Sequence, residues 1–418
     1  MAPDSIQKIR LFISATEASA DLHGAQLLKE VKKKAKSAGL DLQAAGIGGS
    51  LLEAEGMSLW RRSTELAVMG LGEVLAKVFK IRRILKETEE RLLHWNPDAV
   101  ILIDGPDFNL RLAKKIQPSA KAYYLIPPKI WVWREGRLGF LRKIFRKLFV
   151  IFPFESRFYS DRGMQAEYLG NPLIDELPMS LSKAEARQQI GIAPGAFVIC
   201  LMPGSRNSEI QRHGELFFQA AHRFFMTKGY EKKGAEILVV LLPGSQDWQK
   251  KWTTEIESLE SSGIRIRFLD RSAAALRAAD VGIIKSGTST LEAALMGCPH
   301  VVVYRVNRLT QLAYRIMIQF LAGYRGPVAL ANLVAAWDPS HPDSFRSKDA
   351  PRVFPELLLD DATVETISDA VSEILVNPEQ VSKQAEAMKK VARDLGVEKS
   401  PSQRIADALV LDWTGGSA

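Results

Sequence analysis

The sequence predicts an α/β protein of two facing Rossmann-like domains, with a C-terminal helical segment packing back on the first domain. Three observations predict it. Strand-length apolar runs recur with helical stretches between them: IRLFIS, DAVILID, AYYLI and KLFVIF, then FVICLM, EILVVLL, IRIRFL, DVGIIK and PHVVVY. Most of these runs are hydrophobic on both faces, as strands covered by helices on each side must be, which selects mainly parallel sheets. Each half also opens on a strand that runs into a small-residue loop, IRLFISATEAS in the first and FVICLMPGSRNSE in the second. In that layout ligands bind at the carboxyl ends of the strands.

Between the halves, GNPLIDELPMSLSKAEARQQIGIAPGAF breaks the strand rhythm with prolines, small residues and one short helix pattern. The expected division is 1–172 for the first domain, 173–189 for a linker, 190–375 for the second domain and 376–418 for the C-terminal segment. Helical spacing through TVETISDAVSEILVNPEQVSKQAEAMKKVARDLG gives that last segment its reading.

Composition narrows the function classes. With 418 residues, 46% hydrophobic and 25% charged, the chain is an ordinary globular protein, neither disordered nor fibrous. A net charge of +8 points to an anionic partner: nucleic acid, a phospholipid surface or a phosphorylated substrate. No RNA-binding module signature is present, so nucleic acid is not expected. Cys200 and Cys298 each sit inside an apolar run and read as small buried hydrophobes in a reducing compartment. The first apolar stretch is too short for a secretory leader, and no run approaches the roughly 18 apolar residues of a membrane span. The expectation is a cytoplasmic protein without a transmembrane helix. The six histidines show no ligand spacing, so no metal is expected.

Four stretches carry candidate chemistry. In KSGTSTLEAALMG a strand ends in Ser286, Gly287, Thr288 and Ser289, and a helix with Glu292 in its first turns follows. Loop amides and helix dipole there suit a diphosphate, and Glu292 suits a ribose diol; an ordinary capped strand-to-helix turn has the same composition. In LMPGSRNSEI, Arg206 follows a strand and a Pro-Gly turn, where its fork can bridge phosphate oxygens or remain a solvated surface arginine. In ILIDGPDFNLR, Asp104 stands at the carboxyl end of a strand, as a general base for the cleft or as a turn aspartate. Asp107 and Asn109 fit capping and turn roles better, and Gly105-Pro106 would set the corner that aims Asp104. The fourth stretch, residues 65–86, combines Val68, Met69 and Leu71 with Lys77, Lys80, Arg82 and Arg83. It reads either as a basic amphipathic surface for an anionic bilayer or as a helix packed on its own domain with a charged outer face.

The pieces TEASADLHGA, GIGG followed by EAEGM, ELAVMGLGEVL, DGPDFN, WVWR, FPFE, GNPLID, MPGSRNSEI, SGTSTLEAAL, YR, ANLVA and FPELL occur in this order. In that order, over nearly the whole length, the chain resembles the lipid-A-disaccharide synthase family. The resemblance implies a GT-B fold and an inverting hexosyltransferase of lipid A (lipopolysaccharide) biosynthesis. Its donor would be UDP-2,3-diacylglucosamine and its acceptor 2,3-diacylglucosamine 1-phosphate, held by the first domain at the cytoplasmic face of the inner membrane. No cofactor is implied, and a homodimer is compatible with the resemblance. On it, Asp104 is the base, while Arg206 and the loop from Ser286 to Ser289 stabilise the departing UDP. Asn332 falls at a functionally important asparagine of the family, Glu17 and Ser19 match its first loop, and Glu292 matches its nucleotide-side glutamate.

Three departures stand out against that pattern. Thr16 and Ala20 replace two first-loop glycines, Pro127-Pro128-Lys129 stands where serines commonly flank a proline, and Ala331 replaces a proline. A β-branched Thr16 would be costly if its position required positive φ. The alternatives are a UDP-GlcNAc 2-epimerase or other GT-B enzyme, and a non-catalytic relative that binds acylated sugars or membrane.

Overall fold

The computed structural model describes residues 7–66, 74–133, 135–228, 234–241, 245–306, 324–341, 343–396 and 400–415. They divide into two compact units, the first of residues 1–175 with 398–418, the second of residues 176–397.

The first unit holds a seven-stranded, all-parallel sheet. Its strands are β1 (Gln7–Ala15), β2 (Leu40–Gly48), β3 (Ser58–Arg62), β4 (Ala99–Ile103), β5 (Lys121–Leu125), β6 (Lys147–Val150) and β7 (Ala166–Tyr168), in the order β3-β2-β1-β4-β5-β6-β7. Every residue of the AVILI run in β4 is buried, as a central strand covered on both faces requires. The long helix Ala18–Ser37 starts from extended Glu17, carries Lys34 and Lys36 in its last turn, and stops before Gly39 at φ 72°.

The last helix, Pro401–Trp413, belongs to this unit. Ile405, Leu409 and Trp413 join the core formed by Leu27, Leu28 and Val31. Asp412 anchors the helix to strand β5: Tyr123 donates its hydroxyl to Asp412 Oδ2 at 2.5 Å, and Lys121 Nζ donates to the Asp412 carbonyl at 2.7 Å. Arg146 adds a two-pronged contact at 2.6 Å. Burial alone would raise the Asp412 pKa, but the Arg146 and Tyr123 hydrogen bonds and the Arg146 charge outweigh it and hold the carboxyl below 3.8. A carboxylate depressed in the fold stabilises above its unfolded pKa and loses that contribution as pH falls through the folded value. Asp412→Ala strands the buried Tyr123 hydroxyl without its acceptor, with an expected loss of about 1–3 kcal/mol. Urea melts at neutral pH and below pH 4 check it, and the gap between parent and variant narrows in acid.

The second unit holds a six-stranded parallel sheet of β8 (Val198–Met202), β9 (Glu236–Val240), β10 (Arg265–Leu269), β11 (Val281–Lys285), β12 (His300–Tyr304) and β13 (Glu356–Leu358), in the order β10-β9-β8-β11-β12-β13. Two apolar clusters cover its faces. One is built from the helix Asn207–Lys228 and the helix Val364–Val376, with Phe217, Phe224, Ile367 and Val371 inside. The other gathers Leu276, Ala293, Met296 and Cys298. The stretch between the halves forms two short helices, Leu173–Glu176 and Lys183–Gln189. Of the C-terminal stretch, Pro378–Asp394 lies in the second unit and Pro401–Trp413 in the first.

Candidate active site

At the end of β4 two consecutive residues, Asp104 (φ 45°) and Gly105 (φ 52°), take left-handed conformations and turn the chain into the helix Pro106–Ala113. For a residue with a Cβ that conformation costs about 1–2 kcal/mol, so the surroundings must hold it. They do so through the backbone. The Asp104 amide donates to Leu125 O at 3.0 Å, and its carbonyl accepts from Asn109 Nδ2 at 2.8 Å and from the Tyr124 hydroxyl at 2.9 Å. Asn109 is fully buried, also donates to Ile103 O at 3.1 Å, and accepts from the Ser14 hydroxyl at 2.7 Å. Burial, then the nearby Asp104 and Asp107 charges, lift the Tyr124 pKa well above 10.0, so its hydroxyl stays a donor. With the backbone committed, the half-buried Asp104 carboxylate has no hydrogen-bond or ion-pair partner among the described residues.

The first loop packs against this corner. A Cβ at Gly105 would lie 2.0 Å from Thr16 Oγ1, so the Thr16 hydroxyl fills the space that glycine leaves. Neither Thr16 nor Ala20 is among the described non-glycine residues with positive φ, so the replaced glycines cost no backbone strain. Glu17 and Ser19 are exposed at the start of the following helix. Asp21, in its first turn, accepts the amides of Gly49 at 2.6 Å and Leu51 at 3.1 Å, and so caps the short helix Ser50–Ala54.

Beside Asp104, β5 ends in a second left-handed corner. Ile103 pairs with Leu125, and Ile126 (φ 58°) follows, leading into Pro127-Pro128-Lys129. Two family-like stretches meet just beyond: Trp131 of WVWR donates its indole N–H to Glu155 Oε1 of FPFE at 2.9 Å. Glu155 is 1% exposed and also accepts the Ile151 and Phe152 amides. Burial raises its pKa, against those hydrogen bonds and the Lys129 charge.

In the second unit, Glu209 ties the two loops singled out in the sequence. It accepts the Ser205 amide at 3.1 Å, pairs with Lys285 Nζ at 2.8 Å and with Arg206 at 3.6 Å. Burial opposes its ionisation, but Lys285, the Ser205 amide and Arg206 outweigh this and hold its pKa below 4.5. Two cations on one carboxylate leave one net positive charge, and Arg206 keeps 68% of its side chain exposed. Ser286 is buried, Gly287 adopts φ 152° and ψ −155°, a region open only to glycine, and Thr288 is exposed. Glu292 is half-buried with an oxygen on the Ser272 hydroxyl, and burial raises its pKa. His213 donates from Nδ1 to Glu209 O and accepts the Arg305 amide at Nε2, which sets its tautomer; burial lowers its pKa to about 4.

Asn332 is 0% exposed. Its side-chain amide donates to Phe354 O at 2.8 Å and Glu356 Oε1 at 2.9 Å and accepts the Phe354 amide at 3.0 Å, joining ANLVA to FPELL. Val68, Met69 and Leu71 lie outside the described residues. The helix Val74–Trp95 carries Lys77, Lys80, Arg82 and Arg83; Ile84, Thr88 and Leu92 are buried, while Arg82 and Arg83 are exposed and Phe79 is 66% exposed. No helix among the described residues is long and apolar enough to cross a membrane. Lys285, Glu209 and Tyr124 are residues at these loops that sequence reasoning did not single out, whereas Asn109, read there as a capping or turn residue, holds the Ile103 and Asp104 carbonyls of the corner. Only the lysine and the acid beside PGSR and SGTS offered a local signal.

Comparison with known structures defines the class. The chain shares its fold with a UDP-GlcNAc 2-epimerase from Neisseria meningitidis bound to UDP-GlcNAc (TM-score 0.58, 12% identity, covering 97% of this chain and 100% of that one). It also shares it with MurG from Acinetobacter baumannii (TM-score 0.53, 14% identity, 97% and 99% covered). These are GT-B proteins, and at such identities the likeness shows the fold alone.

Sequence identifies the family. A family model described as lipid-A-disaccharide synthetase matches residues 11–410. Lipid-A-disaccharide synthases of Myxococcus xanthus (34% identical over 370 residues, 88% of each chain) and Pseudomonas entomophila (33% over 398 residues, 95% and 96%) are similar throughout. The chain belongs to the lipid-A-disaccharide synthase family and is a glycosyltransferase with a UDP-sugar donor.

Proposed function

We propose that this enzyme transfers 2,3-diacylglucosamine from UDP-2,3-diacylglucosamine to the 6-hydroxyl of 2,3-diacylglucosamine 1-phosphate, with inversion at the anomeric carbon. The Asp104 carboxylate on its clamped left-handed corner, without a hydrogen-bond or ion-pair partner among the described residues, carries this reading. Asp104 takes the hydroxyl proton as the acceptor oxygen forms its bond to the donor anomeric carbon. The bond from that carbon to the UDP oxygen breaks, and the pair of electrons leaves with UDP. Arg206, the cluster it shares with Glu209 and Lys285, and the loop from Ser286 to Ser289 supply the positive potential that favours this departure. Glu292 holds the ribose diol. Asn332 acts through the loop it holds, and Glu17 and Ser19 line the acceptor side. Incubating the protein with the donor, with and without the monosaccharide 1-phosphate, tests the reading. Acceptor-dependent UDP release, with a β-linked product by NMR, supports it; conversion of UDP-GlcNAc to its 2-epimer, or no release at any acyl length, overturns it.

Access to an acylated acceptor fits a peripheral enzyme at the cytoplasmic face of the inner membrane, with Val68, Met69, Leu71 and Phe79 on the lipid and Lys77, Lys80, Arg82 and Arg83 on its anionic headgroups. Replacing Val68, Met69 and Leu71 with serines is expected to release the protein from anionic liposomes in a flotation assay. Unchanged flotation would make the segment a packing element instead.

A further inference from the structure

We propose that Lys129 is an acceptor-specificity residue: its ammonium binds the phosphate of the phosphosugar acceptor and so orients the acceptor hydroxyl toward Asp104. The proposal rests on the reading of function above and adds a residue to it.

The placement is built into the strand ends. Asp104 and Ile126 directly follow the paired residues Ile103 and Leu125, so the two left-handed corners stand side by side on the carboxyl rim of the first sheet. Ile126 is a β-branched residue at φ 58°, a conformation that persists only where the surroundings over-determine it. Its amide is held by Phe149 O at 3.1 Å. Two prolines then stiffen the path to Lys129, and the Pro128 carbonyl is held by the Tyr159 hydroxyl at 3.0 Å and the Ile130 amide at 2.7 Å. The lysine is thus delivered by a short rigid arm, not by a mobile loop end.

At the end of that arm Lys129 is solvent-accessible and has no hydrogen-bond or ion-pair partner among the described residues. Its Nζ stands 5.6 Å from the Phe152 ring centroid, a weak cation–π contact that positions it without neutralising it. Surrounding protein atoms desolvate the ammonium and lower its pKa, while the Glu155 and Asp104 carboxylates pull the other way, which places Lys129 within the field of both. Glu155 is already supplied with the Trp131 indole and two backbone amides. An exposed lysine whose ammonium is desolvated by the surrounding protein and lies in the field of the Asp104 carboxylate is suited to a dianionic group carried by the same small substrate.

The test compares the 1-phosphorylated acceptor with the same sugar lacking phosphate, in the parent, Lys129→Gln and Lys129→Arg. For Lys129→Gln, KM for the phosphorylated acceptor rises roughly tenfold to a hundredfold, while KM for the unphosphorylated acceptor and the Kd for UDP stay unchanged. Lys129→Arg recovers most of the loss. If Lys129 only balanced the buried Glu155 charge, the variant would affect both acceptors alike; that result, or an unchanged KM for the phosphorylated acceptor, overturns the proposal while leaving the transferase reading intact. A parent that transfers to neither acceptor overturns both. Should Lys129→Gln melt earlier than the parent, the ratio of its own two KM values carries the comparison, because a loss of folded enzyme lowers the rate with both acceptors alike and leaves that ratio at the parental value.

Discussion

Asp104→Asn lowers acceptor-dependent UDP release by about 10²–10⁴-fold, the usual worth of a positioned general base. Asparagine is the informative replacement because it tolerates the left-handed region nearly as well as aspartate. The corner is held through the residue-104 amide and carbonyl, which bond Leu125, Asn109 and Tyr124, and none of these contacts uses the side chain. The variant therefore keeps the backbone and loses only the carboxylate proposed to accept the proton. Asp104→Ala gives the same loss and adds strain, since alanine lacks the local hydrogen bonding that eases positive φ. Rates measured under saturating donor, beside UDP binding by calorimetry, separate chemistry from binding. An Asp104→Asn enzyme within a few-fold of the parent would move the base elsewhere.

Gly105→Ala is expected to lower stability severely, and Thr16→Gly to restore part of it. Two effects act at once in the single variant. The new methyl group would sit 2.0 Å from Thr16 Oγ1, an overlap that forces side chain or backbone aside at about 1–3 kcal/mol. The backbone at φ 52° adds about 1–2 kcal/mol for any residue with a Cβ. Thr16→Gly removes the first and leaves the second, so the double variant falls between the parent and Gly105→Ala in a denaturant melt. Activity follows, because the displaced corner carries Asp104. Equal stability of the single and double variants would show that Thr16 does not fill that space. The pair also gives the first-loop departure a physical account: a threonine is accommodated at 16 because a glycine faces it at 105.

Strands buried on both faces were legible because their burial is written into residue type. The AVILI run of β4 and the VICLM run of β8 are apolar at every position, and each lies inside its sheet. The strands that escaped notice are the ones water partly reaches. β2 alternates in its first half, with Asp41 and Gln43 exposed, and is buried throughout only in its second half, β3 is the polar edge segment SLWRR, and β7 and β13 are three residues long at sheet edges. Edge strands pair on one side and need less apolar surface, so periodicity gives them little signal.

By itself the sequence determined the class: alternating strands and helices, two parallel sheets, a basic chain, and membership in a glycosyltransferase family by the order of its motifs. Only tertiary structure decided what the motif residues do. Asn109 is 95 positions from the Ser14 hydroxyl that it accepts, and Asn332 is 22 and 24 positions from the Phe354 carbonyl and Glu356 that it holds. The Glu209 carboxylate that joins Arg206 to Lys285 spans 76 positions. These bonds form between strand ends and loops that the parallel sheets bring together, and residue type alone does not say which buried amide meets which carbonyl. Nor does it say that Asn109 and Tyr124 bind the Asp104 backbone while its carboxylate has no hydrogen-bond or ion-pair partner among the described residues.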